Sequence, residues 1–458
     1  MLFRKIGSLI EDHLKSGSSK VLLIDGARQV GKTYIIRYVG KKLFENFIEI
    51  NMIEDLEGKK LFSYVRTVED FYLQVSMLAG DKMKGKDDTL IFIDEIQAYP
   101  HLLTLLKFLS QDGRFTYIAS GSLLGVTLSQ TTSIPMGSVR KVRMFPLDFE
   151  EFLYAVGVGE SAVASMRKKF GSSESLDEAT HARMTDLFRK YLLVGGLPDA
   201  VNAYIEEKNI RSVRAIQNEI REYYAADASK YDEEKKLRIR RVYDMIPSNM
   251  ENRKKRVVAQ KIENKRGKTF GDYEDEFEYL ISAGIALNVQ AISSPVFPLI
   301  ESSGKNLLKL YLNDVGLLTG ILYGSNIRAV IDDERSVNLG SVYETVVASE
   351  LIAHGYRLFY YDNRSKGEVD YLIDDYESLS ALPIEVKSGK DYRIHSALNI
   401  FVSNEDYHVK KAIVLSNERQ VSTKGKITYL PIYYVMFLQN GDNVPAVFYK
   451  TGDGSMSL

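Results

Sequence analysis

An eight-residue stretch at 26–33, set between an apolar run and a helix-like segment, constrains this chain more than any other feature. Its sequence, GARQVGKT, has the spacing G-x-x-x-x-G-K-[ST] that is typical of a phosphate-binding loop. Glycines at this spacing let backbone N–H groups turn inward toward phosphate oxygens, and the following helix adds its positive end. The residues predicted to bind nucleotide are Gly26, Ala27, Arg28, Gln29, Val30, Gly31, Lys32 and Thr33. Lys32 is expected to reach the β- and γ-phosphates, and the Thr33 hydroxyl to ligate Mg²⁺.

A second apolar run, 90–93, ends in Asp94 and Glu95. A continuous apolar run of this length is typical of a buried parallel strand. An Asp at the carboxyl end of such a strand can hold Mg²⁺ opposite Thr33, and we expect Glu95 to polarise the attacking water. The alternative is a strand that ends in a solvated acidic turn. The upstream phosphate-loop pattern favours the catalytic interpretation.

Strand-like and helix-like segments alternate over residues 1–145, which predicts a parallel sheet with helices on both faces. The strand candidates are 21–25, 47–51, 90–94, 115–120 and 139–145. The fourth candidate ends at Ser120. That side chain is placed either to sense the γ-phosphate or to cap the following helix, and the sequence leaves both roles open.

Composition excludes several classes of protein. The chain has 458 residues, enough for about three domains. A formal net charge of −1 excludes nucleic-acid binding by bulk positive charge. The lack of Cys excludes disulfides, thiolate metal sites and Cys nucleophiles, and it suits a reducing cytosol. No signal peptide or long apolar span is visible, so we expect a cytoplasmic protein without a membrane partner.

The middle of the chain is predicted to be helical and then winged-helix-like. Residues 195–198, GGLP, interrupt the helical pattern and predict a close backbone approach or a tight turn. Basic residues concentrate at 235–268, where they could follow the phosphate backbone of DNA or RNA. The alternative is a solvated helix face. The next segment, 271–283, is acidic, which argues against its insertion into a DNA groove.

The C-terminal third shows the order helix, three strands, helix, strand. The predicted bounds are 341–354 for the helix, 356–361, 368–373 and 381–387 for the three strands, about 394–402 for the second helix and 412–416 for the last strand. Residues two apart in a strand share a face, so adjacent strands could bring Asp370 and Glu385 together, with Glu344 on the helix nearby. Carboxylates suit Mg²⁺ or Mn²⁺, and Lys387 could orient a water for attack on a phosphodiester. This arrangement resembles the PD-(D/E)xK nuclease core. The alternatives are a charged edge strand, or the same fold kept as a scaffold without chemistry.

Taken together, the motifs resemble a prokaryotic family that joins an AAA-type (AAA_14, STAND-like) P-loop ATPase domain to a C-terminal DUF4143 domain. The stretches that carry the resemblance are GARQVGKT (26–33), LIFIDEIQ (90–97), SGS (120–122), FPLDFEEFL (145–153), YLLVGGLPDAV (191–201), KLYLNDVGLL (309–318), GSVYETVVASEL (340–351), GEVDYLI (367–373) and PIEVKSG (383–389). The resemblance implies four parts: an ATPase domain (1–148), its helical segment (149–232), a winged-helix-like segment (233–300) and a nuclease-like domain (301–458). Many relatives carry an Arg where Ser138 stands here, which leaves Arg140 and Arg143 as candidates for an arginine finger. A finger supplied in trans would require a homo-oligomer.

The expected fold class is therefore α/β, with a P-loop sheet, a helical and winged-helix-like middle and a C-terminal α/β restriction-endonuclease-like domain. The expected function is Mg²⁺-dependent ATP hydrolysis, coupled to a C-terminal domain that binds or cleaves nucleic acid. The alternative is an ATP-driven regulatory switch whose C-terminal domain is an inactive interaction module. A small-molecule kinase is a weaker third possibility, because a P-loop alone permits it.

Overall fold

A computed structural model describes the structure of most of the chain. The described residues are 2–122, 124, 137–227, 233–252, 255–302, 307–332, 339–363, 365–389, 393–440, 449–450 and 456–457. The chain divides into two units, each assembled from separate stretches of sequence. The first unit comprises Met1–Ala164, Asp186–Asn288 and Leu310–Val346, and the second comprises Ser165–Thr185, Val289–Lys309 and Val347–Leu458.

Helices and strands alternate at the start of the chain, give way to helices in the middle, and alternate again at the end. The α-helices of the described residues are α1 (Lys5–Lys15), α2 (Lys32–Leu43), α3 (Met52–Glu57), α4 (Val68–Ala79), α5 (Pro100–Asp112), α6 (Phe149–Ala155), α7 (Glu160–Gly171), α8 (Glu178–Val194), α9 (Pro198–Glu207), α10 (Ile210–Asp227), α11 (Glu233–Glu251), α12 (Ala259–Glu263), α13 (Glu274–Ser282), α14 (Val315–Tyr323), α15 (Arg328–Ile331), α16 (Gly340–Ala353) and α17 (Ser396–Ser403). The strands are β1 (Val21–Asp25), β2 (Asn46–Asn51), β3 (Thr89–Asp94), β4 (Thr116–Gly121), β5 (Val139–Arg143), β6 (Ala286–Ile292), β7 (Leu308–Leu312), β8 (Phe359–Asn363), β9 (Gly367–Asp375), β10 (Ser380–Val386), β11 (Ala412–Ser416), β12 (Ser422–Lys424), β13 (Ile427–Pro431), β14 (Tyr449–Lys450) and β15 (Met456–Ser457).

The first sheet has five strands in the order β2-β3-β4-β1-β5, and all its pairings are parallel. Every residue of β1 and β3 is buried, as expected for strands covered by helices on both faces. The order brings the carboxyl ends of β3 and β4 next to the end of β1, where the phosphate loop begins. This sheet confirms the predicted α/β fold class.

The second sheet has eight strands in the order β12-β13-β11-β10-β9-β8-β6-β7, with parallel and antiparallel pairs. It confirms the mixed α/β architecture expected of the C-terminal region. Strand β8 begins at Phe359 rather than at residue 356, because the Tyr356 N–H still bonds to the Leu351 carbonyl at the end of α16, at 3.0 Å. The antiparallel pairing of β9 with β10 ends at Ile384 opposite Tyr371, and this register places Asp370 and Glu385 at the next position along the two strands.

A buried polar cluster joins the end of α8 to the start of α14. Asp314 is buried and accepts hydrogen bonds from the N–H groups of Gly196 (2.6 Å) and Leu317 (3.1 Å). Burial raises the pKa of Asp314 to about 6. A Cβ atom on Gly196 would lie 1.9 Å from the Leu147 carbonyl oxygen, so only glycine fits there. This contact confirms the close backbone approach that the GGLP sequence predicted.

Acidic neighbours neutralise much of the basic stretch at 235–268 in the described residues. Lys235 pairs with Asp275 on α13, and Lys268 pairs with Asp272 at 2.9 Å. Arg238 lies 3.4 Å from Glu263. Arg253 and Lys254 lie outside the described residues. The acidic and basic segments therefore form one layer of ion pairs, a feature that the sequence did not predict.

Among the helices that the structure describes, none is both long and apolar enough to cross a bilayer.

Candidate functional site

The phosphate loop links the end of β1 to the start of α2. Lys32 is the first residue of α2, and its buried ammonium donates hydrogen bonds to the carbonyl oxygens of Gly26 (2.9 Å) and Ala27 (2.8 Å). Burial lowers the pKa of Lys32, while the carboxylates of Glu95, Asp25 and Asp94 act in the opposite direction. The ammonium thus lies inside the loop, where phosphate oxygens can replace the carbonyl oxygens as its partners.

Asp94 joins the ends of three elements. Its Oδ2 accepts a hydrogen bond from the Thr33 hydroxyl at 2.8 Å, and its Oδ1 accepts from the Ser120 hydroxyl and from the Glu95 N–H. Burial raises the pKa of Asp94, and the two hydroxyl donors oppose that shift. The predicted juxtaposition of Thr33 and Asp94 is therefore present. Ser120, for which the sequence left two roles open, donates to Asp94 at the end of the neighbouring strand.

Glu95 turns out of the strand direction, with a left-handed φ of 51°. Its Oε2 accepts hydrogen bonds from Gln97 Nε2 (2.5 Å) and from the Ser122 hydroxyl (3.2 Å). Gln97 also donates to Ser122 at 3.3 Å. Gln97 and Ser122 were not among the predicted site residues. Ser122 has a weak signal in the sequence, because only the pairing of β3 with β4 brings it beside Glu95, whereas Gln97 is a local neighbour two residues after Glu95.

A cleft of about 670 Å³ opens at the loop. Side chains from the loop line it together with Arg4, Tyr34, Glu95 and the first turns of α9. Tyr34 and Tyr223, two of the exposed aromatic rings of this unit, both lie on the cleft wall. The volume suits a nucleotide, and exposed aromatic rings beside a phosphate loop can pack against a base.

Arg4 fixes the loop from the side of α6. Its guanidinium donates to the carbonyl oxygens of Val30 (2.8 Å) and Phe145 (2.6 Å), and pairs with Glu151 at 3.1 Å. On the other side, the Tyr224 hydroxyl donates to the Arg28 carbonyl at 3.0 Å. The backbone of the loop is therefore held by side chains from elements well separated in sequence.

The two arginine-finger candidates differ in their surroundings. Arg140 is exposed on β5. Arg143, at the end of the same strand, donates to Asp25 Oδ2 at 3.1 Å. Arg143 thus has a partner within its own chain, whereas Arg140 projects toward solvent.

In the second unit, Asp370 and Glu385 occupy adjacent positions on β9 and β10, one step beyond the Ile384–Tyr371 pair. Asp370 Oδ2 accepts a hydrogen bond from the Val386 N–H at 2.9 Å, and Lys387 Nζ pairs with Glu385 Oε1 at 2.8 Å. Glu385 Oε2 is buried and has no hydrogen-bond partner among the described residues. The three residues are thus brought together as predicted by the strand pattern.

Glu344 belongs to the first unit and has partners there. Its Oε1 pairs with Lys255, and its Oε2 accepts from the Tyr311 hydroxyl at 3.2 Å. No group of three or more Asp, Glu or His side chains in the described ranges is placed to hold a metal ion. A lysine ammonium already balances the charge of Glu344, and its supporting role at a metal stays a prediction.

Family models match three parts of the chain. Residues 18–153 match an AAA domain, AAA_14, and residues 339–435 match a domain of unknown function, DUF4143. Between them, residues 185–326 match a second domain of unknown function, DUF8612. The first two matches confirm both ends of the resemblance that the motifs indicated.

Solved structures show distant likeness to the chain. The Walker-type ATPase PABY2304 of Pyrococcus abyssi has 14% identity and a TM-score of 0.42, and the match covers 70% of this chain and 95% of that one. The ORC1 protein of Aeropyrum pernix, solved in complex with DNA, has 14% identity and a TM-score of 0.29, with 70% and 91% covered. The Pif1 helicase of Candida albicans has 14% identity and a TM-score of 0.23, with 34% and 43% covered. No curated protein matches the sequence.

Proposed function

We propose, on the premise that residues 18–153 form an AAA domain and residues 339–435 a DUF4143 domain, that this protein binds ATP with Mg²⁺ and hydrolyses it to ADP and phosphate. An AAA domain supports nucleoside triphosphatase activity in general. The observation that carries the finer proposal is the hydrogen bond from Thr33 to Asp94, 2.8 Å long, directly beside the buried Lys32 ammonium. A hydroxyl and a carboxylate at this position are the ligands that Mg²⁺ prefers.

Each residue of the site has a distinct role in this proposal. The loop N–H groups and Lys32 bind the phosphates, and Thr33 and Asp94 would hold Mg²⁺, which neutralises phosphate charge when bound. Glu95 orients the attacking water and accepts its proton as the γ-phosphoryl group leaves. Gln97 and Ser122 hold the Glu95 carboxylate in place, and Ser120 holds Asp94.

Replacing Lys32 by Ala tests the binding half of the proposal. The variant removes the ammonium inside the loop, and we expect ATP affinity to fall by about 100-fold or more, since charged hydrogen bonds to phosphate are the strong ones. Isothermal titration of the full chain with Mg²⁺-ATP measures it. Lys41→Ala, at the exposed end of the same helix, is the matched control. Equal affinity of folded Lys32→Ala and wild-type protein would refute the assignment.

A second activity is proposed for the carboxylate pair of the second unit, because Glu385 Oε2 is buried without a hydrogen-bond partner among the described residues. An acceptor in that position fits a divalent cation, Mg²⁺ or Mn²⁺, which would be held by Asp370 and Glu385. The ion would polarise a phosphodiester, and Lys387 would orient the attacking water. If the domain has no such chemistry, it is an interaction module and the protein an ATP-driven switch.

The 235–268 stretch is the proposed contact for DNA or RNA. Most of its ion pairs with acidic neighbours have at least one exposed side chain, and exposed pairs contribute only about 0–1 kcal/mol each, so phosphates can compete for the cations. Six of its basic side chains, at positions 236, 240, 241, 261, 265 and 266, are themselves exposed. We place these activities in the cytoplasm, in keeping with a chain that has no Cys.

A further inference from the structure

Arg143 connects the strand that carries the phosphate loop to the end of α13. Asp25 is the last residue of β1 and directly precedes the loop. The Arg143 guanidinium donates to Asp25 Oδ2 at 3.1 Å, to the Ser282 carbonyl at 3.0 Å and to the Ile281 carbonyl at 3.3 Å. One planar group therefore binds both the base of the loop and the last turn of a helix more than 130 residues away in sequence.

The charges explain why this position needs an arginine. The Asp25 side chain is only 1% exposed, so its carboxylate requires a cation. The last turn of a helix exposes carbonyl oxygens at its negative end, which also favours a cation. The fork of guanidinium N–H groups satisfies both partners at once. Lys141 also reaches Asp25, at 3.1 Å, but among the described residues it makes no hydrogen bond to α13.

A second contact links the same two parts. Gly284 follows α13 with a φ of 73°, and a Cβ atom there would lie 3.3 Å from the Ala27 N atom of the loop. The chain after α13 therefore packs directly against the loop backbone. Because both contacts are short, a shift of the loop on phosphate binding requires a matching shift of residues 281–284.

We propose that Arg143 is a positioning residue that transmits nucleotide binding from the phosphate loop to α13. The proposal rests on the proposed ATP binding at this loop. It also links the nucleotide to the ion pairs between α11 and α13, because Asp275 and Glu276 of α13 pair with Lys235 and Arg238 of α11. Movement of α13 with the loop changes how far its carboxylates shield those cations.

Hydrogen exchange of the full-length chain, with and without Mg²⁺-ATP, tests the proposal. In wild-type protein, we expect nucleotide to slow amide exchange in residues 274–284 by about threefold or more, because the loop and α13 open together. In Arg143→Ala the slowing should disappear, while ATP still binds. Lys141→Ala is the matched control: it removes a cation from the same carboxylate without touching α13, and should keep the slowing. Arg143→Lys keeps one cation beside Asp25 but lacks the forked guanidinium, so the slowing of exchange should disappear in this variant as well.

ATP affinity measured on the same samples separates the two proposals. A wild-type chain that does not bind ATP contradicts the proposed function. A wild-type chain that binds ATP, with equal protection of 274–284 in the wild-type, Arg143→Ala and Arg143→Lys proteins, overturns only the role of Arg143. Should Arg143→Ala fail to fold, Arg143→Lys decides alone.

Discussion

Glu95 lies where β3 ends, and its left-handed backbone aims its carboxylate away from the strand toward Gln97 and Ser122. A non-glycine residue in this conformation is uncommon and is held by its surroundings. The two hydrogen bonds to Oε2 fix the carboxylate near the cleft. This geometry suits a general base better than a phosphate-binding group, since a carboxylate repels phosphate.

Glu95→Gln should therefore separate hydrolysis from binding. The amide keeps the shape but cannot accept a proton, so we expect turnover to fall by about 100-fold or more while ATP affinity changes little. Phosphate release and ATP titration measure the two effects. Glu57→Gln, on an exposed helix position, is the control. Turnover equal to that of wild type would assign the water to another residue.

Motifs of a few consecutive residues predicted the roles of some site residues and missed those of others. The phosphate loop and Asp94 follow from residues that are close together in sequence, because the loop and the strand end are local structures. Ser122 acquires its role only when β3 and β4 pair, and Glu344 acquires its partner Lys255 only through the fold. A role that depends on a tertiary contact is not indicated by any recognisable spacing of residues in the sequence.

At the scale of elements, the apolar strands were predicted closely. The observed bounds of β1 and β11 equal the predicted 21–25 and 412–416, because continuous apolar runs bounded by polar residues define buried strands. Strand β12 (Ser422–Lys424) was missed, since it has no apolar residue and exists through its pairing with β13. The four-part domain division remains a prediction.

The Asp314 cluster between α8 and α14 makes stability depend on pH. Burial raises the pKa of Asp314 from 3.8 to about 6, so the folded state binds a proton more tightly than the unfolded state. The stabilisation from this group is complete below pH 4 and is lost as pH rises through about 6, at a cost of about 3 kcal/mol. Asp314→Asn, which does not titrate, should be less stable than wild type by an amount that shrinks over this range.

Urea unfolding followed by circular dichroism between pH 4 and 6.5 measures this difference. Asp244→Asn, at an exposed position on α11, is the control for the loss of a carboxylate. A gap between Asp314→Asn and wild type that widens as pH rises would contradict the assigned direction of the pKa shift.

The basic side chains of α11 and α12 lead to a prediction about nucleic-acid binding. Changing Lys236, Lys261 and Arg266 to Gln removes three exposed cations, and we expect single-stranded DNA affinity to fall and its logarithmic salt slope to drop by about 2. Fluorescence anisotropy over a salt series measures both. Changing Lys59, Lys60 and Lys82 to Gln removes the same charge from another exposed region and is the matched control. Equal losses in both variants would indicate a bulk charge effect instead.

At the scale of the whole molecule, the two candidate sites belong to different units and should be separable. Asp370→Ala removes one carboxylate of the proposed metal pair, so we expect Mg²⁺- or Mn²⁺-dependent cleavage of plasmid or single-stranded DNA to be lost. ATP turnover should stay within about twofold of wild type, because the phosphate loop is intact. Asp374→Asn, on the same strand, is the control for cleavage. Wild-type protein without cleavage under either metal would favour the switch.

The interleaved course of the chain has a consequence for its synthesis and for any attempt to shorten it. The chain passes from one unit to the other after residues 164, 185, 288, 309 and 346. A truncated gene ending at codon 346 would encode all of the first unit, but it would also leave 165–185 and 289–309 without the rest of their own unit. Those orphaned segments would expose apolar surface and promote aggregation. On the ribosome, the same two segments must wait for residues 347–458 to emerge, so the second unit can complete its core only after those residues are made.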